Sequence, residues 1–375
     1  MKTILLIADY AACYRGNFIP SIEAIDYTLS ASIDNMDEPT RMVYLFPDVA
    51  KEQPWMLSFQ NEHTTYFIPR SFFAKRFTFH DLSTLYHILR KERVSLIHTH
   101  FIFYNYALCL AHHIFARRIP IIGQFHNQFR IPATRSAFLK RFVVEHTYAQ
   151  ILGVSSSVAD GVRTYTKCKN VDYVMNAISF ERLNHYTSLC LRDCPTQKVV
   201  LMAGWPASVK GVDVAVKAIA QLRSSQQIDI KLCIMQSGDF AQTETCVRRA
   251  IGDMPSWVQL LPPREDIASY YYAVDIFLSA SRTEACPYCL VEAAYCTPMI
   301  ISSDIPGPRE LQIEGMQLFP MDDVSALCDT LLAQLSLTEE EKNSIRERRK
   351  NIIVCYNLND WCLKIIDWYN KVLKC

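Results

Sequence analysis

The sequence predicts an α/β fold of two doubly wound, parallel-sheet domains, and three observations carry that expectation. A chain of 375 residues is too long for one ordinary core and comfortable for two. Short apolar runs recur along it without the in/out alternation of half-exposed strands, as parallel strands covered on both faces require. Stretches with helical periodicity lie between these runs, so strand and helix alternate through two successive series.

The first series comprises ILLIA (4–8), MVYLF (42–46), SLIHTHF (95–101), IPIIGQFH (119–126) and AQILGVS (149–155), with DLSTLYHILRKE (81–92) among the intervening helices. The opening MKTILLIADYAAC reads as the first buried strand rather than a leader, because Asp9 interrupts its apolar run. The second series comprises KVVLMAG (198–204), DIKLCIM (229–235), WVQLL (257–261), DIFLSAS (275–281) and PMIISSD (298–304). In GVDVAVKAIAQLR (211–223), Val212, Ala215, Val216, Ile219 and Leu222 form one helical stripe. Between Asn176 and Lys198 the chain turns polar and irregular, which places a hinge there and domains at 1–180 and 195–355. A last helix, NDWCLKIIDWYNKVL (359–373), sets Trp361, Ile365 and Trp368 near one face. The segment 356–375 is therefore expected to pack back on the N-terminal domain.

Half of the residues are apolar and 21% are charged, a soluble globular balance, and no run approaches the roughly 18–20 apolar residues of a membrane span. Fourteen cysteines without the spacing of a disulfide framework point to a reducing cytoplasm. The net charge is only +1 but unevenly spread. Residues 51–150 carry 13 Lys/Arg against 5 Asp/Glu, whereas residues 181–375 carry 20 against 24. The basic part interleaves aromatics, as in SFFAKRFTF (71–79) and RSAFLKRFVVEH (135–146). That pattern suits anionic lipid head groups or a phosphorylated partner, and equally a plain solvated face.

The chemistry-bearing residues gather in the second series. After DIFLSAS the chain reads RTEACPYCLVEAAYC (282–296), with Glu284 in the strand-to-helix loop and Glu292 inside the helix. Pro287 is the expected first helical residue, because its missing N–H would be unpaired there anyway. The amides of Cys286, Tyr288 and Cys289 then point outward from a helix N-terminus, which attracts phosphate. An ionised carboxylate only accepts, so it suits two adjacent hydroxyls of a sugar or ribose. The element AGWPASVKGVDVAV (203–216) adds Gly204, and Lys210 just before Gly211 and a helix start. The macrodipole disfavours a cation there, which favours a bound anion beside it. A solvated loop end and a water-facing helix charge are the bland alternative for the two glutamates. Cys286 and Cys289 have a CxxC spacing, but no second pair or His pair completes a zinc site, so no metal is expected. In HTHF, His98 and His100 fall on one face of a strand.

Taken with their order and spacing, these residues resemble the retaining glycosyltransferases of family 4, the group 1 glycosyl transferases, whose GT-B fold sets two Rossmann-like domains across a cleft. Glu284 and Glu292 match that family's E-x7-E element, and Gly204, Lys210, Gly211 and Asp213 match its GR…KGVD element. HTHF (98–101), His126 in GQFHN, SSSVADGV (155–162) and Asn176 in VMNAIS fall where the family places its first-domain motifs. The resemblance implies an acceptor-binding domain at 1–180 and a nucleotide-sugar-binding domain at 195–355. It implies that Glu292 holds the ribose and that Glu284, with the Cys286–Pro287–Tyr288 turn, holds the donor sugar. Lys210 would neutralise the diphosphate, Arg264 in LPPRED would sit beside the base, and Gly16 and Gly204 would line the donor. Glu284 and His126 are the implied catalytic residues, His126 lying near the sugar's reactive face. Neither metal nor cofactor is implied.

The chain departs from the family at three points. Trp205 stands where the family has an arginine, so the diphosphate loses a fork-shaped donor that lysine cannot imitate, with Arg15 and Arg282 the candidates to replace it. The first loop has only Gly16 where a glycine pair is usual, and EACP replaces EGFG. The expected function is transfer of a sugar from a nucleotide-diphosphate donor to a glycan or lipid-linked oligosaccharide of a bacterial surface polysaccharide. The enzyme would work in the cytoplasm, at the inner face of the membrane, with anionic lipid but no nucleic acid as partner. A nucleotide-sugar 2-epimerase of the same architecture and a non-catalytic nucleotide-sugar-binding partner are the alternatives.

Overall fold

Two all-parallel sheets organise the computed structural model, which describes residues 1–9, 26–53, 55–73, 77–236 and 240–374. Arg15 and Gly16 lie outside the described residues. The first sheet holds β1 (Lys2–Ala8), β2 (Thr40–Pro47), β3 (Thr65–Ile68), β4 (Leu96–His100), β5 (Ile121–Phe125), β6 (Gln150–Gly153) and β7 (Val171–Tyr173), in the order β3-β2-β1-β4-β5-β6-β7. The second holds β8 (Lys198–Ala203), β9 (Ile230–Met235), β10 (Val258–Leu261), β11 (Ile276–Ser279), β12 (Met299–Ser303) and β13 (Gln317–Phe319), in the order β10-β9-β8-β11-β12-β13. In each sheet the strand order reverses beside the first strand of the series, between β1 and β4 and between β8 and β11. Such a reversal opens a crevice at the carboxyl ends of the two strands.

One compact unit gathers the described residues up to Asn176 together with the closing helix, and the other spans Ala177–Asn357. The closing helix, Leu358–Lys374, buries Trp361, Ile365 and Tyr369 in the first unit. Its end is tied down by Lys374 on Asp37 at 2.6 Å and by the Asp37 amide, which donates to Asn370 Oδ1.

Ten of the strands follow the apolar runs of the sequence. The other three, β3, β7 and β13, lie at sheet edges and are only three or four residues long. An edge strand is half solvated and needs no apolar run; in β13 both Gln317 and Leu318 are exposed. The stripe Val212, Ala215, Val216, Ile219 and Leu222 is fully or almost fully buried on helix Val212–Ser225 and packs into the core of the second sheet.

The helix bearing Glu292 runs from Tyr288 to Cys296. Pro287 is therefore the capping residue, with extended backbone, and not the first helical residue as the sequence suggests. The far end of this helix is capped from a distance. Arg349, wholly buried on helix Glu339–Ile353, donates to the carbonyls of Ala294, Thr297 and Pro298. A cation on the last carbonyls satisfies acceptors the helix leaves open and complements its dipole.

The loops after β8 and β11 touch at Gly211, which has φ +65°. A Cβ there would sit 2.0 Å from the Ala280 carbonyl oxygen. Gly211→Ala must therefore pay for both the left-handed backbone and a backbone clash, and we predict a loss of at least about 3 kcal/mol in urea or thermal unfolding. Gly252→Ala, at φ +91° with nothing within 4 Å, should cost only about 1–2 kcal/mol. Equal losses would mean that the loops do not depend on this approach.

Candidate active site

The crevice of the second sheet collects a cation and two carboxylates. Lys210 follows β8 and Glu284 follows β11, the two strands that flank the order reversal. Lys210 Nζ meets Glu284 Oε1 at 2.5 Å, and Ser281 Oγ donates to the same oxygen at 2.8 Å. Both side chains of the ion pair are about 15% exposed or less. Burial alone pulls the Lys210 ammonium toward its neutral form, but the adjacent Glu284 outweighs it and raises its pKa.

The two loops are also clamped to one another. The Arg282 amide donates to the Val209 carbonyl at 2.8 Å, and its guanidinium grips Asp213 through two bonds of 3.0 and 2.9 Å. The same guanidinium reaches the Ser208 carbonyl and Asp322. Arg282, a candidate to stand in for the arginine that Trp205 replaces, thus braces the two loops. Trp205 itself is half-buried. Gly204 ends β8 where a Cβ would come within 2.3 Å of Ile234 and 2.6 Å of the Gln236 amide, so glycine is required for strand packing.

Glu292 is 6% exposed and doubly held: Oε1 pairs with Arg182 and Oε2 accepts from the Tyr271 hydroxyl at 3.1 Å. Arg182 lies on the short helix Phe180–Asn184. The glutamate is therefore no water-facing helix charge. Cys289, one turn before it, feels Lys210, Glu284 and Glu292 together, and burial pushes its thiol up to about 12. Cys286 and Pro287 are buried beside Glu284, and Tyr288 is half-buried. Among the described residues no group of three His, Cys, Asp or Glu side chains is placed to hold a metal ion.

Two predicted residues stand apart. Arg264 follows β10, two strands from β8, and forms two 2.7 Å bonds to Asp266 beneath the Tyr270 ring. His126 belongs to the first unit, after β5. There it stacks on Phe101 at 3.9 Å, and its Nε2 lies 3.1 Å from His100 Nδ1. His98, one face with His100, meets the Tyr369 hydroxyl at 2.6 Å. Burial keeps all three imidazoles neutral: His100 is pulled down to about 3, and His98 and His126 lie well below their usual value, with the neighbouring His100 adding to the effect of burial on each.

Arg182, Tyr271 and Ser281 escaped the sequence reading. Ser281 was adjacent to the motif, but Arg182 stands 110 positions from Glu292 and Tyr271 hides in the run Tyr270–Tyr272, so no local spacing announces either contact.

A model described as glycosyl transferases group 1 matches residues 197–336, the whole crevice, and one described as glycosyltransferase family 4 matches residues 43–182. The chain is a group 1 glycosyltransferase. Among curated relatives of this glycosyltransferase, the phosphatidylinositol N-acetylglucosaminyltransferase GPI3 subunit of Saccharomyces cerevisiae is 21% identical over 335 residues, covering 82% of this chain and 72% of the relative. Among solved structures, a glycosyltransferase from Rickettsia africae superposes with a TM-score of 0.77 at 16% identity, over 100% of this chain and 99% of that one. HepE from Anabaena, crystallised with UDP and glucose, gives 0.73 at 14% identity over 99% and 100%. These likenesses establish the GT-B fold of two Rossmann-like units.

Proposed function

We propose that this glycosyltransferase uses a nucleoside-diphosphate sugar and transfers the sugar, with retention at the anomeric carbon, to a glycan or lipid-linked acceptor. The observation that carries the donor reading is the convergence of Lys210, Glu284 and Glu292 at the order reversal of the second sheet. A cation suits a diphosphate, and two acceptor-only carboxylates suit the hydroxyls of the sugar and the ribose. The Anabaena neighbour's complex with UDP and glucose supports the same donor class. In the proposed reaction the bond from the anomeric carbon to the β-phosphate oxygen breaks. The acceptor oxygen bonds to that carbon on the same face, and its proton passes to the departing β-phosphate. Lys210, with the helix amides after Cys286, balances the diphosphate without a metal ion. Glu284 stabilises the positive charge that develops on the sugar ring.

The two glutamates separate on this reading. Glu292→Gln should weaken sugar donor and free nucleoside diphosphate together, by tenfold or more, roughly 1.4 kcal/mol. Glu284→Gln should lower kcat by roughly 10²–10³ while the nucleoside diphosphate binds at least as well as before, since Lys210 loses its internal partner. Titration calorimetry and steady-state transfer assays measure both. Equal loss of nucleotide affinity in the two variants, or full activity in both, would sink the assignment.

The acceptor reading draws on the first unit. Among the described residues no helix is long and apolar enough to cross a membrane. Helices Tyr106–Ile114 and Ala137–Thr147 pack together and leave Ile114 64% and Phe138 79% exposed, with Leu110, Leu139 and Phe142 also in solvent. Phe142 stacks on His113 and on His146, and His146 joins this patch to a cavity of about 770 Å³ lined in part by Lys2, Arg117, Arg118 and Lys371. Exposed aromatics beside a basic pocket complement an anionic bilayer, with rings in the interface and head groups on the cations. The enzyme would thus meet a lipid-linked acceptor at the cytoplasmic membrane face, in the assembly of a surface glycan. Phe138→Ser with Phe142→Ser, and separately Lys140→Glu with Arg141→Glu, should each release the protein from phosphatidylglycerol vesicles, as should raised salt. Binding to phosphatidylcholine vesicles that equals binding to phosphatidylglycerol, or variants that sediment like the wild type, would exclude this surface.

A further inference from the structure

We infer that Arg182 and Tyr271 are positioning residues that orient the Glu292 carboxylate for a vicinal diol, and so set a preference for ribose over deoxyribose nucleotides. This deepens the donor reading above and rests on Glu292 as the ribose acceptor. A carboxylate has about four lone-pair directions, two on each oxygen. Here one on Oε1 is taken by Arg182 and one on Oε2 by the Tyr271 hydroxyl. One acceptor direction per oxygen is left, the number that two neighbouring hydroxyls need.

Both holders are themselves held. Tyr271 is 1% exposed, its carbonyl accepts from Thr297 Oγ1 at 3.0 Å, and burial followed by the nearby Glu292 keeps its phenol firmly protonated, hence a donor. The Arg182 Nε and Nη1 atoms are buried without a partner among the described residues, so its contact with Glu292 is what satisfies the guanidinium charge. A buried cation with one anionic partner pins that partner, because letting go leaves a charge unpaired in a dry site. The plane of the carboxylate is thereby fixed from two sides before any nucleotide arrives.

The same contacts also join helix Phe180–Asn184 to helix Tyr288–Cys296, so a purely structural role has to be told apart. The test titrates UDP, 2′-deoxy-UDP and 3′-deoxy-UDP, with the GDP series in parallel, into the full chain by calorimetry. The proteins are the wild type, Arg182→Gln, Arg182→Lys, Tyr271→Phe and Glu292→Gln. The wild type should favour the ribonucleotide by roughly tenfold or more. Arg182→Gln and Tyr271→Phe should shrink that ratio severalfold while affinity for the deoxynucleotides stays within roughly two- to threefold of wild type, and Arg182→Lys should keep part of the ratio. A ratio that survives in both variants, or ribo- and deoxynucleotide affinities that fall in parallel, overturns the positioning role. If the ratio survives in Glu292→Gln as well, the ribose reading of Glu292 fails and takes this inference with it. Collapse in Glu292→Gln alone refutes only the role of Arg182 and Tyr271.

Discussion

The contact of the Gly211 backbone with the Ala280 carbonyl is the constraint from which the site follows. Two adjacent parallel strands, β8 and β11, leave the sheet in loops that turn to opposite faces, and only a residue without a Cβ lets those loops meet. Once they meet, the Arg282 amide can reach Val209, the Arg282 guanidinium can grip Asp213, and Lys210 is carried onto Glu284. Each of these bonds joins one loop to the other. The ion pair is thus a consequence of backbone geometry, and the backbone geometry is secured by a second, separate ion pair.

The charges of the site pair with one another. Lys210 neutralises Glu284, and Arg182 neutralises Glu292. Partly buried charges need partners, since an uncompensated charge in a dry site costs several kcal/mol. Internal pairing gives each of these partly buried charges a partner of opposite sign. On the proposed reading, donor binding is an exchange of partners: a diphosphate for Glu284 at Lys210, with the freed carboxylate turning to the sugar. While paired with Glu284 the lysine is held charged, because Glu284 more than offsets the effect of burial on it. Preorganised charge of this kind costs little reorganisation during reaction.

Much of this was legible in the sequence, and the limits are physical. Central strands such as Ile4–Ala8 and Val199–Met202 are covered on both faces and read as unbroken apolar runs. The edge strands β3, β7 and β13 are short and half solvated, and leave no such mark. Glu284, Glu292 and Lys210 could be singled out because each sits at a fixed distance from a strand end and a helix start. What those side chains touch could not be read, because Lys210 and Glu284 are 74 positions apart and Arg182 and Glu292 are 110 apart. Pro287 shows the smaller error, a helix boundary displaced by one residue. Arg282 shows what sequence spacing leaves out: nothing in it announces that Asp213 and Asp322 hold this side chain.

The proposed mechanism requires Lys210 to exchange Glu284 for a diphosphate, and a calorimetric double-mutant cycle measures that exchange. UDP and GDP would be titrated into the wild type, Lys210→Ala, Glu284→Gln and the double variant. Lys210→Ala should weaken the better nucleotide by roughly 30-fold, about 2 kcal/mol, part of it from the bare Glu284 left facing the phosphates. Adding Glu284→Gln to Lys210→Ala should recover several-fold of that loss, whereas alone it should leave affinity unchanged or improved. Wild-type affinity in Lys210→Ala, or strictly additive losses from the two substitutions, would contradict the exchange.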